Sequence, residues 1–159
     1  MTGVILFVFG AVVGSFLNVV AIRYNSGLSL GGRSTCARCG AHLHWYELLP
    51  IVSFIFLAGR CRHCRTRISI QYPLVEIVTG LLFVTLSPIY LPVFCLYVVI
   101  TIYDLRHKII PDTLSYTAAV LAAATTLFFG NPTLLDWLAG PILFLFFGGI
   151  WLLSKGRAI

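Results

Sequence analysis

The chain has 159 residues, 59% of them hydrophobic and only 10% charged, at a mean hydropathy of +0.97. A soluble domain carries about 25% charged residues, and no soluble fold of this length hides so much apolar surface, so most of it must face lipid or other membrane helices. The formal net charge of +6 is not read as a nucleic-acid surface, because seven of the 11 basic residues (Arg23, Arg33, Arg38, Arg60, Arg62, Arg65 and Arg67) crowd into one segment against a single acid, Glu47; that is the asymmetry of a cytoplasmic loop under the positive-inside rule.

In chain order, the first apolar run covers 3–22. It lacks a basic n-region and is too long for the h-region of a cleaved signal, so it reads as an anchor with its N-terminus outside. Within it, Gly10-Ala11-Val12-Val13-Gly14 makes a small-xxx-small face that lets another helix approach closely. A soluble insert follows over 23–72. The apolar stretch from Pro73 to Tyr103 exceeds one bilayer crossing, and Pro88 and Pro92 supply a turn within it. Two short helices are predicted there, near 73–87 and 91–105. A fourth runs near 113–130, stopped by Gly130-Asn131-Pro132, and a fifth over 134–153, before Ser154-Lys155-Gly156-Arg157.

The predicted fold is an all-α polytopic membrane protein of about five transmembrane helices with a small cytoplasmic zinc-binding insert. Orientation is consistent loop by loop. With the N-terminus outside, the insert, the 104–112 connection and the C-terminal tail fall in the cytoplasm and hold all 11 basic residues. The external turns at 88–92 and 131–136 hold none.

Within the insert, Cys36-x-x-Cys39 and Cys61-x-x-Cys64 are separated by 21 residues. Each pair forms a knuckle that sets two thiolates on one metal, and together they make a closed, structural S4 zinc site. A reducing compartment leaves the thiols free for metal, while two disulfides or four unrelated thiols are the competing readings. His42, His44 and His63 lie near the knuckles, where four thiolates already fill the coordination sphere, so solvated or supporting roles are expected. Cys95 reads as packing in a membrane helix.

The chain has five acids: Glu47, Glu76, Asp104, Asp112 and Asp136. Asp104 ends an apolar run at the negative end of a helix, and burying its charge deep in a bilayer costs about 2.5–3.5 kcal/mol, which suits an acid that holds a proton. An interfacial acid beside Arg106 and Lys108 is the equal alternative. Asp112 follows Pro111 and fits an N-cap of the fourth helix. Glu76 lies in a first turn, where the dipole favours an anion and a structural role is expected. Asp136 falls on the outer face, away from Asp104.

Taken in order, these motifs resemble the bacterial prepilin peptidases, or type IV leader peptidases. The resemblance rests on Gly14-Ser15-Phe16-Leu17-Asn18-Val19-Val20 with Arg23, the two knuckles with Trp45-Tyr46-Glu47 and Pro50 between them, and Gly59-Arg60-Cys61. It continues through Tyr72-Pro73-Leu74-Val75-Glu76 with Gly80, then Asp104 and Ile110-Pro111-Asp112. It implies an aspartic endopeptidase that removes the basic leader of type IV prepilins and type II secretion pseudopilins at the cytoplasmic face of the bacterial inner membrane. Many members also N-methylate the new amino terminus with S-adenosylmethionine. The resemblance divides the chain into a first transmembrane helix (1–22), a four-cysteine domain (23–72) and the N-terminal part of the peptidase membrane domain (73–159). Asp104 matches the first catalytic aspartate and Asp112 a supporting position.

The family's second aspartate sits in a Gly-x-Gly-Asp motif, which these residues do not contain. The expectation is therefore an incomplete chain, inactive alone. The alternative from another class is a non-catalytic membrane zinc protein that binds pilin precursors or assembly partners. A stand-alone methyltransferase is the weaker third reading, since no glycine-rich cofactor loop follows a strand.

Overall fold

The computed structural model describes residues 1–27, 29–130 and 134–153. Its helices are α1 (Thr2–Arg23), α2 (Val52–Phe56), α3 (Gln71–Thr85), α4 (Leu91–His107), α5 (Asp112–Phe129) and α6 (Leu134–Leu153), with 3-10 turns at Trp45–Leu48 and Pro88–Tyr90. Among the described residues the only β pairing is two isolated bridges, both in the insert. The helices Thr2–Arg23, Pro88–His107 and Asp112–Phe129 are long and apolar enough to cross a bilayer, and Gln71–Thr85 is apolar but shorter. The chain is an all-α membrane protein, as expected. The five predicted membrane segments coincide with α1 and α3 to α6. The second was expected to open at Pro73, yet α3 begins at Gln71. Pro73 stands in its first turn, where a missing N–H breaks no intrahelical bond.

The chain divides into two units, Met1–Ala122 and Ala123–Ile159. The second holds the end of α5 and the helix α6, which carries Pro141 inside it and exposes Ile142, Leu143, Phe144 and Leu145. The expected turn at Asn131-Pro132 and the basic tail lie outside the described residues.

The first unit is organised by α1, which is apolar on every side and divides its faces by size. Val4, Ile5, Val8, Phe9, Val12 and Phe16 are exposed, while Gly10, Ala11, Gly14, Leu17, Asn18 and Ala21 are buried. The large residues face lipid and the small ones face α3. A Cβ on Gly10 would stand 2.9 Å from the Gly80 Cα, and one on Gly14 would stand 2.9 Å from the Thr79 side chain. Gly80 in turn leaves room for the Phe7 ring, 2.7 Å from where its own Cβ would be. The helices touch backbone to backbone because these side chains are missing, as the spacing of Gly10 and Gly14 predicts. Toward its C-terminus α1 joins a second seam. Leu17 and Ala21 pack with Val99 and Ile102 of α4 and Leu114 of α5.

Buried polar groups fix the register of the first seam. Asn18 is completely buried; its amide donates to the Gly14 carbonyl at 3.3 Å, and its carbonyl oxygen accepts from Gln71 Nε2 at 3.3 Å. Inside an apolar bundle an unpaired amide costs about 1–3 kcal/mol, so the pair holds the end of α1 level with the start of α3.

Candidate functional site

The insert leaves α1 at Arg23, whose guanidinium folds over the outgoing loop. Nη1 donates to the carbonyls of Ser29 at 2.6 Å, Leu30 at 3.2 Å and Gly32 at 3.2 Å, and Nη2 to that of Arg33 at 3.5 Å. A residue that reads in the sequence as a topology signal is also a clamp on the loop that leads to the first knuckle.

The two knuckles are copies of one another. In the first, the Cys36 N–H donates to the Ala41 carbonyl and the Gly40 N–H to the Cys36 carbonyl, each at 2.9 Å. In the second, the Cys61 N–H donates to Thr66 and the Arg65 N–H to Cys61, again at 2.9 Å. Bridges Thr35 to His42 and Arg60 to Arg67 close the two tips. The residue after the second cysteine of each pair must adopt a positive φ. Gly40 does so at 70° without cost, and Arg65 does so at 54° with a side chain.

This repetition converges four sulfurs. The Sγ atoms of Cys36, Cys39, Cys61 and Cys64 all lie within 4.8 Å of one another, with Cys36 and Cys64 at 3.8 Å. Zn–S bonds of about 2.3 Å set tetrahedral edges of about 3.8 Å, so the cluster fits a zinc ion. The thiols are poised unevenly. Cys64 is pulled down to about 6, first by the Thr66 hydroxyl and then by its backbone N–H. Cys36 is lowered by the N–H groups of Cys39 and Arg38. At Cys39 the Ala41 N–H pulls downward, but desolvation and hydrogen bonds shared with Cys64 and Cys36 outweigh it and push the thiol up to about 11. A divalent cation that replaces the remaining protons settles four sulfurs that otherwise compete for charge.

The histidines stand beside the cluster. His44 caps the 3-10 turn Trp45–Leu48, where the Glu47 N–H donates to its side chain and its own N–H donates to Glu47 Oε2 at 2.8 Å. Its ring stacks on Tyr46, with centroids 5.3 Å apart. His63 is exposed, and His42 carries the first bridge.

Glu76, expected to be structural, is buried between the seam and the insert. Its Oε2 accepts the Ile51 N–H at 2.7 Å. Ile51 has φ 62° and ψ −49°, and Val52 N–H donates back to the Pro50 carbonyl, which makes the rare and strained hand of γ-turn. Such a conformation in a β-branched residue costs on the order of 1–3 kcal/mol, and the buried carboxylate secures it. Nothing in the local pattern announces this contact.

The two expected aspartates stand at neighbouring helix ends. Asp104 is partly buried in the last turn of α4, and Asp112 is exposed in the first turn of α5. Lys108 ends α4 in a left-handed conformation at φ 57°, donating its N–H to the Asp104 carbonyl at 2.7 Å. Tyr24, just after α1, braces both ends. Its hydroxyl lies 2.6 Å from Thr113 Oγ1, beside Asp112, and its ring meets Tyr103, beside Asp104, edge to face at 5.6 Å. The Tyr103 ring also stacks on His107. Asp136 has no described side chain.

Fold and site define a polytopic membrane protein with a four-cysteine insert, able to hold a metal ion, between its first two apolar helices. The family described as Bacterial Peptidase A24 N-terminal domain matches residues 8–90, and the chain belongs to that family. A prepilin leader peptidase/N-methyltransferase of Myxococcus xanthus is 40% identical over 148 residues, covering 86% of this chain and 44% of the relative. One of Bacillus subtilis is 37% identical, covering 76% of this chain and 53% of the relative. A type 4 prepilin-like proteins leader peptide-processing enzyme of Escherichia coli is 34% identical, covering 70% and 51%. The chain thus spans about half the length of the curated relatives it matches. No solved structure matches.

Proposed function

We propose that the full protein carrying this chain is a prepilin leader peptidase of the bacterial inner membrane. It removes the basic leader of type IV prepilins and type II secretion pseudopilins at the cytoplasmic face. The observation that carries this reading is the joint placement of Asp104 and Asp112 at adjoining helix ends, both braced by Tyr24, where α1 hands over to the cysteine insert. The relatives' names support it.

In this reading the enzyme is an aspartic endopeptidase. Two carboxyl groups share one proton; one activates a water and the other polarises the scissile carbonyl. Asp104 is one of the pair and Asp112 supports it. The partner belongs to a Gly-x-Gly-Asp motif outside these 159 residues. Cys36, Cys39, Cys61 and Cys64 hold a structural zinc that shapes the 23–72 insert and takes no part in bond breaking. The N-terminus faces outward and the insert the cytoplasm. The relatives' names also carry an N-methyltransferase activity; if the full protein shares it, S-adenosylmethionine would supply the methyl group for the trimmed amino terminus. The functional parts are 1–22, 23–72 and 73–159.

The test compares the full protein with the 159-residue polypeptide, both purified in lipid, on a prepilin substrate. Cleavage by the full protein alone is expected. Leader removal by the 159 residues at the full protein's rate, or by neither polypeptide, contradicts the proposal; in the second case binding of the uncleaved precursor makes a zinc-bearing adaptor the better account.

A further inference from the structure

The insert carries more than its cysteine knuckles. From the 3-10 turn Trp45–Leu48 through α2 it exposes an apolar surface of a kind that a soluble module buries. Phe56 is 86% exposed, Trp45 76% and Ile55 69%, with Leu48, Leu49 and Val52 exposed beside them. Exposed large apolar side chains concentrated in so short a stretch mark a binding surface.

Its height relative to the membrane helices identifies what covers it. Ile51, the residue before α2, is held by Glu76, which lies five residues inside α3, or about 7–8 Å below the start of that helix. Glu76 also lies against α1, where a Cβ on Gly14 would stand 3.1 Å from the Glu76 Cα, and Gly14 lies nine residues, or about 13 Å, before the end of α1. The γ-turn at Ile51 therefore sits down among the membrane helices. The helix that issues from it starts near the depth at which interfacial helices lie, about 5–10 Å into the boundary of headgroups and acyl chains. Ile70, the residue before α3, and Leu74 in its first turn are exposed as well.

The polar surroundings suit that depth. Trp45 and Tyr46 are the residue types enriched at membrane interfaces. Arg62 donates to the Tyr46 hydroxyl at 2.7 Å and lies 5.7 Å over its ring, carrying its charge beside the apolar face. Arg60 stands two residues earlier. The insert's sole acid, Glu47, is buried, so the charge presented outward is cationic and complements anionic headgroups.

We propose that residues 45–57 form an interfacial wedge, with the side chains of Trp45, Ile55 and Phe56 seated in the headgroup and upper acyl region of a bilayer containing anionic lipid. The zinc knuckles stand above it. The wedge anchors the insert to the membrane plane at a point apart from its two covalent tethers. This rests on the membrane fold and does not depend on the peptidase reading.

The test uses the full protein in phosphatidylglycerol-containing vesicles with Trp45 as the only tryptophan, Trp137→Phe and Trp151→Phe being made together with any others in the full sequence. Lipid brominated near the glycerol end of its acyl chains is expected to quench Trp45 by about half or more, while aqueous iodide quenches it about threefold less than free N-acetyltryptophanamide. Ile55→Ser with Phe56→Ser should lower the lipid quenching about twofold at unchanged zinc content. Full quenching by iodide with none by brominated lipid overturns the proposal in favour of a solvated insert. Protection from both quenchers overturns it in favour of a protein partner on this face.

Discussion

The α1–α3 seam and the cysteine insert are held together by opposite means. In α1 alone, Gly10, Ala11, Gly14, Leu17, Asn18 and Ala21 are buried, and two backbones meet where side chains have been removed. Between Tyr24 and Ile70 the only buried residues among those described are Glu47 and Cys61. A segment of that length with so little interior cannot offset its own conformational entropy by burial. The seam is stabilised by contact, and in the proposed reading the insert is stabilised by its zinc ion. Conditions that dissolve one should therefore leave the other standing.

The largest separation between them is expected on metal removal. Chelation of zinc, or Cys61→Ser, should release on the order of 10 kcal/mol of folding free energy from the insert alone. Limited proteolysis should then cut within 29–70 while the α1 and α3 amides keep their protection from exchange; simultaneous loss of both protections breaks the comparison. The reciprocal experiment is Gly14→Val. Its side chain meets Thr79, whose atoms lie 2.9 Å from an added Cβ, and the Glu76 backbone at 3.1 Å. Overpacking there should cost about 2–3 kcal/mol of bundle stability in detergent titrations, with zinc stoichiometry unchanged.

Glu76 is the point at which the two regions meet, and its loss should be felt in both. Glu76→Ala orphans the Ile51 N–H inside a strained turn, a cost of about 1–3 kcal/mol. Hydrogen exchange at Ile51 and across α2 should accelerate roughly tenfold or more, with Glu76→Gln recovering part of the protection through its carbonyl oxygen. Equal exchange in Glu76→Ala and wild type removes the tether from the account. The smallest effect is expected from Tyr24→Phe, which deletes the hydroxyl 2.6 Å from Thr113 Oγ1 but keeps the ring on Tyr103. About 1 kcal/mol of bundle stability should go, read as a small fall in melting temperature.

The helices and the cysteine site were legible in the sequence because both are written in local spacing. Apolar runs with proline or glycine stops mark α1, α3, α4, α5 and α6, and two C-x-x-C pairs mark the knuckles. The face of α1 that a partner helix would use was also visible in Gly10 and Gly14, though not that α3 would fill it. What stayed hidden is carried by pairs far apart in the chain. Tyr24 and Thr113 are 89 residues apart, Asn18 and Gln71 are 53, and Ile51 and Glu76 are 25. No periodicity encodes such partners. The helix α2, five residues long, is too short to show a repeat, and it is fixed by a turn whose positive φ falls on an isoleucine that no turn rule selects. Glu47 was nearer to legible, since His44-x-x-Glu47 has the spacing of a capping box with histidine in place of serine or threonine.

In the proposed reading Asp104 does chemistry while Tyr24 braces the helix end that carries it. The most direct measurement is leader removal from a prepilin by the full protein in lipid, comparing wild type with Asp104→Asn after both are shown to bind equal zinc and to melt alike. The account predicts a loss of cleavage of about a thousandfold or more, the scale on which a positioned general acid or base and its partner act together. Cleavage by Asp104→Asn within a few-fold of wild type would contradict it and reduce Asp104 to an interfacial acid beside Arg106 and Lys108.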